Sequence, residues 1–143
     1  AYAVDSDGDG RRDLFASWHD IIGSVANYFV RHGWKSKQPV VSDASFTADF
    51  HGDIPKKNSL KPDSTVAVLA HSGVTFDDVA APDAAARLIA FAGKDAPEYY
   101  VGFKNFYVIT RYNRSAMCAM AVWQLGNEVA TARKMANEKV ASK

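Results

Sequence analysis

A chain of 143 residues that is 48% hydrophobic, 12% aromatic and 23% charged is of one-domain size. It can bury roughly 68–70% of its unfolded surface, so it is neither disordered nor dependent on staples. Seventeen Lys and Arg against sixteen Asp and Glu leave a net charge of +1, which argues against a nucleic-acid partner because no basic excess exists to neutralise phosphates. No apolar run approaches the roughly 18–20 residues of a membrane span, and the single Cys118 excludes an internal disulfide and any multi-cysteine metal site.

The chain begins Ala1-Tyr2-Ala3, without an initiator Met or a signal sequence; it is expected to be a mature, trimmed or truncated piece of something longer. An Asp-rich start then leads into an amphipathic helix, about Trp18 to His32. Ser17 is the expected N-cap, with Asp20 at capping-box spacing. Trp18, Ile21, Ile22, Val25, Ala26 and Phe29 recur at helical spacing and are expected to face a core, and Gly33 supplies the stop.

The middle of the chain, about Lys35 to Gly102, holds all five prolines and short apolar runs. Pro39–Val41, Arg87–Phe91 and Glu98–Val101 read as strands, the last two joined by a loop over 92–97. Ser64 to His71 suits a strand or a short helix, and the cap at Ser64 with the stop at Gly73 favours the helix. Asp43 to Lys61 is polar and reads as a surface excursion. From Phe103 the pattern is helical again, with Ser115 to about Glu138 as one long helix. Its stretch from Ala116 to Leu125 is apolar nearly all round, which predicts a buried element. The expected segments are therefore 1–36, 37–102 and 103–143, in an α+β fold with a small antiparallel sheet inserted between helical parts.

Asp5-Ser6-Asp7-Gly8-Asp9-Gly10 is the sharpest local signal. Oxygen ligands at positions 1, 3 and 5 of a loop converge on one point, and Gly at position 6 permits the sharp turn. Arg11 at position 7 would offer its backbone carbonyl. The closing glutamate of such loops is replaced by Ala16; Asp13 at position 9 would act directly or through water, and Asp20 would close the site from the first turn of the helix. Calcium is the expected ion, as a hard cation that takes six to eight oxygens, and a lone loop suits a structural role better than a switch. The competing reading is a solvated acidic turn with Asp20 as a helix-capping carboxylate. His19, His32, His51 and His71 show no metal-ligand spacing.

The stretch from Ala3-Val4-Asp5 to Asp13-Leu14, followed by Ile22-Gly23-Ser24-Val25-Ala26-Asn27-Tyr28-Phe29 and His32-Gly33-Trp34, resembles the calcium loop and following helix of the lytic murein transglycosylase B family, glycoside hydrolase family 103. Asn105 to Ser115 and Ala119 to Leu125 resemble that family's C-terminal block. The resemblance implies helices forming part of a lysozyme-like core and a periplasmic cell-wall enzyme, often lipid-anchored to the outer membrane. Such enzymes cleave the β-1,4 bond between N-acetylmuramic acid and N-acetylglucosamine in peptidoglycan glycan strands and leave 1,6-anhydromuramic ends. It also implies that Tyr28, Tyr112 and Asn113 line the sugar groove. Aromatic faces and a side-chain amide suit that task, although both tyrosines also fit amphipathic packing. A family aromatic five residues after Asn113 is Cys118 here, which sits in the apolar helix and is expected to be inert.

The family's catalytic glutamate belongs to a lobe upstream of the Asp loop, so no catalytic residue is expected in this chain. Its glutamates are Glu98, Glu128 and Glu138. Glu98 reads as an exposed acid leading a strand, and the other two as solvated groups on the last helix. Two further readings remain: a non-catalytic, calcium-stabilised peptidoglycan-binding module, and a calcium-responsive interaction domain.

Overall fold

In the computed structural model, which describes residues 2–77 and 80–141, the chain separates after Gln38 into two units, Ala1–Gln38 and Pro39–Lys143. The first unit is the Asp-rich segment and helix α1, Trp18–Arg31. Ser17 caps the helix by accepting from the Asp20 amide at 3.3 Å. His32 is the C-cap, and Gly33 follows at φ 93°. The expected apolar stripe is not the covered side within this unit. Trp18 is 74% exposed and Ile22 65%, whereas Asp20 and Ser24 are the buried residues of the helix. The reason is local: the segment laid along α1 is the polar N-terminal one, and it covers the side bearing Asp20 and Ser24.

The second unit carries β1 (Val41–Phe46), β2 (Ser64–Thr65), α2 (Val66–His71), β3 (Val74–Phe76), β4 (Ala85–Phe91), β5 (Glu98–Phe103), α3 (Lys104–Tyr112) and α4 (Ala116–Ala141). The five strands form one sheet in the order β2-β4-β5-β1-β3, with every pairing antiparallel. β4 and β5 match the expected strands. The helix favoured over 64–71 forms, capped by Thr65 rather than Ser64, and Gly73 ends the turn after it at φ 89°. The supposed excursion from Asp43 instead begins with strand, since β1 runs on to Phe46 and pairs with β3. Polar alternation hid it: Asp43 and Ser45 are exposed while Ala44 and Phe46 are half-buried.

One sheet face supplies Ala86, Leu88, Val101 and Phe103 to a core closed by Val66 and Leu69 of α2 and by Val74. On the other face, a side chain at Gly102 would meet Ile89 Cδ1 at 2.6 Å and Phe106 at 3.2 Å, so glycine lets α3 approach the sheet. β2 pairs only with Ala85 and Ala86. Farther along β4, the preceding loop takes over. The Asn58 side chain donates to the Ala90 carbonyl at 2.7 Å and accepts from the Ala90 amide at 3.0 Å. Buried Arg87 donates to the Lys61 carbonyl and pairs with Asp63 at 3.0 Å.

Helix α4 departs from expectation. Ala116, Ala119 and Met120 are buried where it packs with α3. Met117 is 67% exposed, Val122 52% and Leu125 61%, and Cys118 is exposed too. The band is apolar, but nothing among the described residues covers most of it.

Candidate functional site

The Asp loop is held on α1 by alternate residues of an extended lead-in. Asn27 Nδ2 donates to the Tyr2 carbonyl at 2.8 Å, the Val4 amide donates to Ser24 Oγ at 3.0 Å, and the Ser6 amide donates to Asp20 Oδ1 at 2.6 Å. Residues 2, 4 and 6 thus meet residues 27, 24 and 20. Two extended residues advance about 6.6 Å and a helical turn about 5.4 Å, so the two periods stay in step over this short distance. Gly23 lies inside this contact, where any Cβ would collide with the Ser6 side chain. The sequence reading missed Gly23, Ser24 and Asn27 as part of the site; a Gly-Ser pair in a helix interior, where both are poor formers, was the available signal.

Within the loop, the carboxylates turn the backbone around themselves. Asp5 accepts from the Gly8 and Gly10 amides at 2.7 and 2.8 Å, with Gly8 and Gly10 at φ 79° and 85°, the left-handed region open to glycine. Asp7 accepts from the Ser17 hydroxyl at 2.7 Å, tying the loop to the N-cap. Asp20 also accepts from the Asp13 amide at 2.8 Å, and no part of it is solvent-accessible. One carboxylate oxygen from each of Asp5, Asp7 and Asp20 lies within 4.8 Å of the others. Asp9 is not part of that trio; it accepts from the Arg11 amide at 2.7 Å. Asp13 accepts from the Phe15 and Ala16 amides.

These amides set the electrostatics. The Ser6 amide, then that of Asp13, holds the Asp20 carboxyl below its ordinary pKa, and the Ala16 and Phe15 amides do the same for Asp13. Each oxygen that accepts one amide keeps a further lone pair. Three anionic oxygen donors converging on one point, on a backbone already turned around them, are the donor chemistry of a hard divalent cation. The residues present therefore fit such an ion.

Tyr28 belongs to the same unit. Its ring stacks on His32 at 4.1 Å and meets Tyr2 edge-on at 4.9 Å, so the N-terminal segment and the end of α1 share one aromatic cluster. Tyr112 and Asn113 belong to the second unit. Tyr112 ends α3 and is 74% exposed; Asn113 is the exposed C-cap, and its carbonyl accepts from Ser115 at 2.6 Å. Arg111 lies back over the Tyr107 ring at 5.7 Å. Glu98 is exposed at the start of β5 and accepts from the Tyr100 hydroxyl at 3.0 Å.

The chain belongs to the transglycosylase SLT domain family SLT_2, which matches residues 1–127. It is 42% identical over 132 residues to the membrane-bound lytic murein transglycosylase B of Escherichia coli K12, covering 92% of this chain and 35% of that protein. Among solved structures it is similar to the catenated lytic transglycosylase SltB1 of Pseudomonas aeruginosa (TM-score 0.81, 44% identity, 92% of this chain and 43% of that one). It is also similar to the E. coli lytic transglycosylase Slt35 in complex with calcium (0.76, 40%, 92% and 40%). A third likeness is to P. aeruginosa SltB3 in complex with NAG-anhNAM-pentapeptide (0.68, 30%, 85% and 32%). This chain thus spans about a third of the curated relative's length. The α+β fold with an inserted antiparallel sheet is that of lysozyme-like lytic transglycosylases.

Proposed function

We propose that this chain is the C-terminal portion of a peptidoglycan lytic transglycosylase, supplying a calcium site and one wall of a glycan groove. The observation that carries the reading is the family match over residues 1–127, joined to an Asp loop bonded to α1 at three points. Cleavage in this reading is non-hydrolytic. A carboxyl group gives its proton to the leaving glycosidic oxygen, then as carboxylate takes the proton of the muramic C6 hydroxyl as that oxygen closes on C1.

That carboxyl is placed in a partner lobe of the same protein, outside this chain. Glu98 is an exposed strand-end residue, and Glu128 and Glu138 are exposed on α4, none of them in the buried surroundings that suit a carboxyl to general-acid work. Tyr28, Tyr112 and Asn113 are assigned to sugar contact, the rings for apolar sugar faces and the amide for an acetamido group. The segments 1–36, 37–102 and 103–143 correspond to metal loop with first helix, sheet subdomain and closing helices. The full protein acts in the periplasm, anchored at the outer membrane.

For the metal, Asp5, Asp7 and Asp20 offer the convergent carboxylates, with Asp9 and the Arg11 carbonyl completing a calcium set from the same loop. Calcium bound there would add positive charge to the entry of α1 and fix the loop. The calcium complex of Slt35 supports the choice of ion. A stand-alone glycan-binding module is the second reading, favoured by the placement of Glu98.

The experiment is digestion of purified peptidoglycan by this chain, with released muropeptides read by mass spectrometry. Calcium-dependent retention on the glycan without release is the expected result. Anhydromuramic ends that vanish in a Glu98→Gln variant would overturn the placement of the acid.

A further inference from the structure

β1 and β5 are paired as far as Asp43 and Tyr100 and then part company. Beyond that point Ala44–Phe46 pair with β3, and Glu98 and Tyr99 with β4. The separation opens a cleft of about 470 Å³ lined by Asp43, Ser45, Phe46, Glu98, Tyr99 and Tyr100 among others. Alternation along paired strands puts Asp43, Tyr100, Glu98 and Phe91 on one face. On that face a second hollow of about 220 Å³ shares Glu98 and Tyr100 and continues to Phe91, Met117, Met120 and Gln124. Neither cavity has a Lys or Arg in its lining, in a chain where basic residues outnumber acidic ones.

The chemistry is specific. Asp43, the cross-strand partner of Tyr100, and Glu98, two residues before it on β5, are exposed carboxylates. The Tyr100 hydroxyl donates to Glu98 Oε2 and so orients it. Phe91 stands edge-on to Tyr100 at 5.9 Å, which with Met117 gives an apolar track ending at two anions and an aromatic face. An aliphatic arm tipped by an ammonium group matches each element: apolar stem, charge-assisted hydrogen bonds and cation–π contact.

We infer that the cleft where β1 and β5 part holds the free side-chain amine of a peptidoglycan stem peptide, with Asp43 and Glu98 as its anionic partners. This rests on the peptidoglycan reading above and extends it from sugar to stem. The test is calorimetric titration of the chain with three probes. These are a disaccharide-tetrapeptide whose only free amine is the stem's side-chain amine, the same compound acetylated at that amine, and stem-free glycan. Acetylation is expected to weaken binding about tenfold or more, as loss of a charge-assisted hydrogen bond does. Asp43→Asn and Glu98→Gln are expected to bring the free-amine probe to the acetylated level and leave stem-free glycan unchanged. Equal binding of free and acetylated probes, or no binding of the free one, overturns the inference, and that arm needs no variant to fold. Amine-dependent binding without any affinity for stem-free glycan would uphold this site while counting against the glycan groove.

Discussion

Asp20 accepts the Ser6 amide at 2.6 Å across fourteen residues of sequence, from a helix position with no solvent access. With the Asp13 amide on its other oxygen, this carboxylate is the point about which the acidic segment folds. The loop is therefore organised by the helix that follows it.

Acid should loosen that arrangement. The folded pKa of Asp20 is lowered, first by Ser6 and then by Asp13, and that of Asp13 by Ala16 and Phe15. A depressed carboxylate contributes stability that is fully present above the unfolded value of about 3.9 and is lost as pH falls through the folded one. The melting temperature is expected to decline as pH is taken from 5 to 2.5, and less steeply in Asp20→Asn, which should also melt several degrees lower at pH 7. Calorimetry across that range checks both.

Calcium should raise stability with the logarithm of its concentration once that exceeds the dissociation constant. At a hundred times its dissociation constant, a ligand bound only by the folded state contributes about 2.7 kcal/mol. The expected outcome is an upward shift in melting temperature with calcium that chelator reverses and Asp5→Ala or Asp7→Ala abolishes. A shift that survives both substitutions would remove the Asp loop as the site.

Two substitutions probe the second unit. Phe106 is 2% exposed, and Phe106→Ala should cost about 3–5 kcal/mol by urea denaturation. Gly73→Ala should cost at least about 1–2 kcal/mol for its left-handed backbone, and more because its Cβ would lie 2.8 Å from Phe50 Cα.

The exposed Met117, Val122, Leu125 and Val129 of α4 predict self-association of the isolated chain, since contiguous apolar surface rarely stays bare. Sedimentation should show oligomers that Leu125→Glu disperses. Cys118 is exposed on the same helix, so its thiol should react with Ellman's reagent without denaturant, contrary to the inert role its apolar neighbours suggested.

Sequence pattern revealed what local chemistry decides. The turn at Gly10, the cap at Ser17, the stop at Gly33 and the two long strands each follow from residues a few positions apart. Burial was less legible. The apolar stripe from Trp18 to Phe29 and the apolar band from Ala116 to Leu125 state what a helix could bury, not what its neighbours cover. β1 beyond Asp43 was missed because a strand with polar residues on one face looks like a loop until its partner β3 is known. In the site, the aspartates announced themselves, while Ser24 and Asn27 became visible only once the lead-in lay on the helix.

The paired bonds between Asn58 and Ala90 carry a last consequence. A side-chain amide has the same donor and acceptor as a peptide unit, so Asn58 serves β4 as a single rung of a missing strand where β2 has already ended. An open strand edge invites another molecule to add itself in register. With that rung in place, the amide and carbonyl of Ala90 are already engaged and unavailable to an incoming strand. Asn58 thus leaves this edge of β4 one rung shorter for any strand that would add to it.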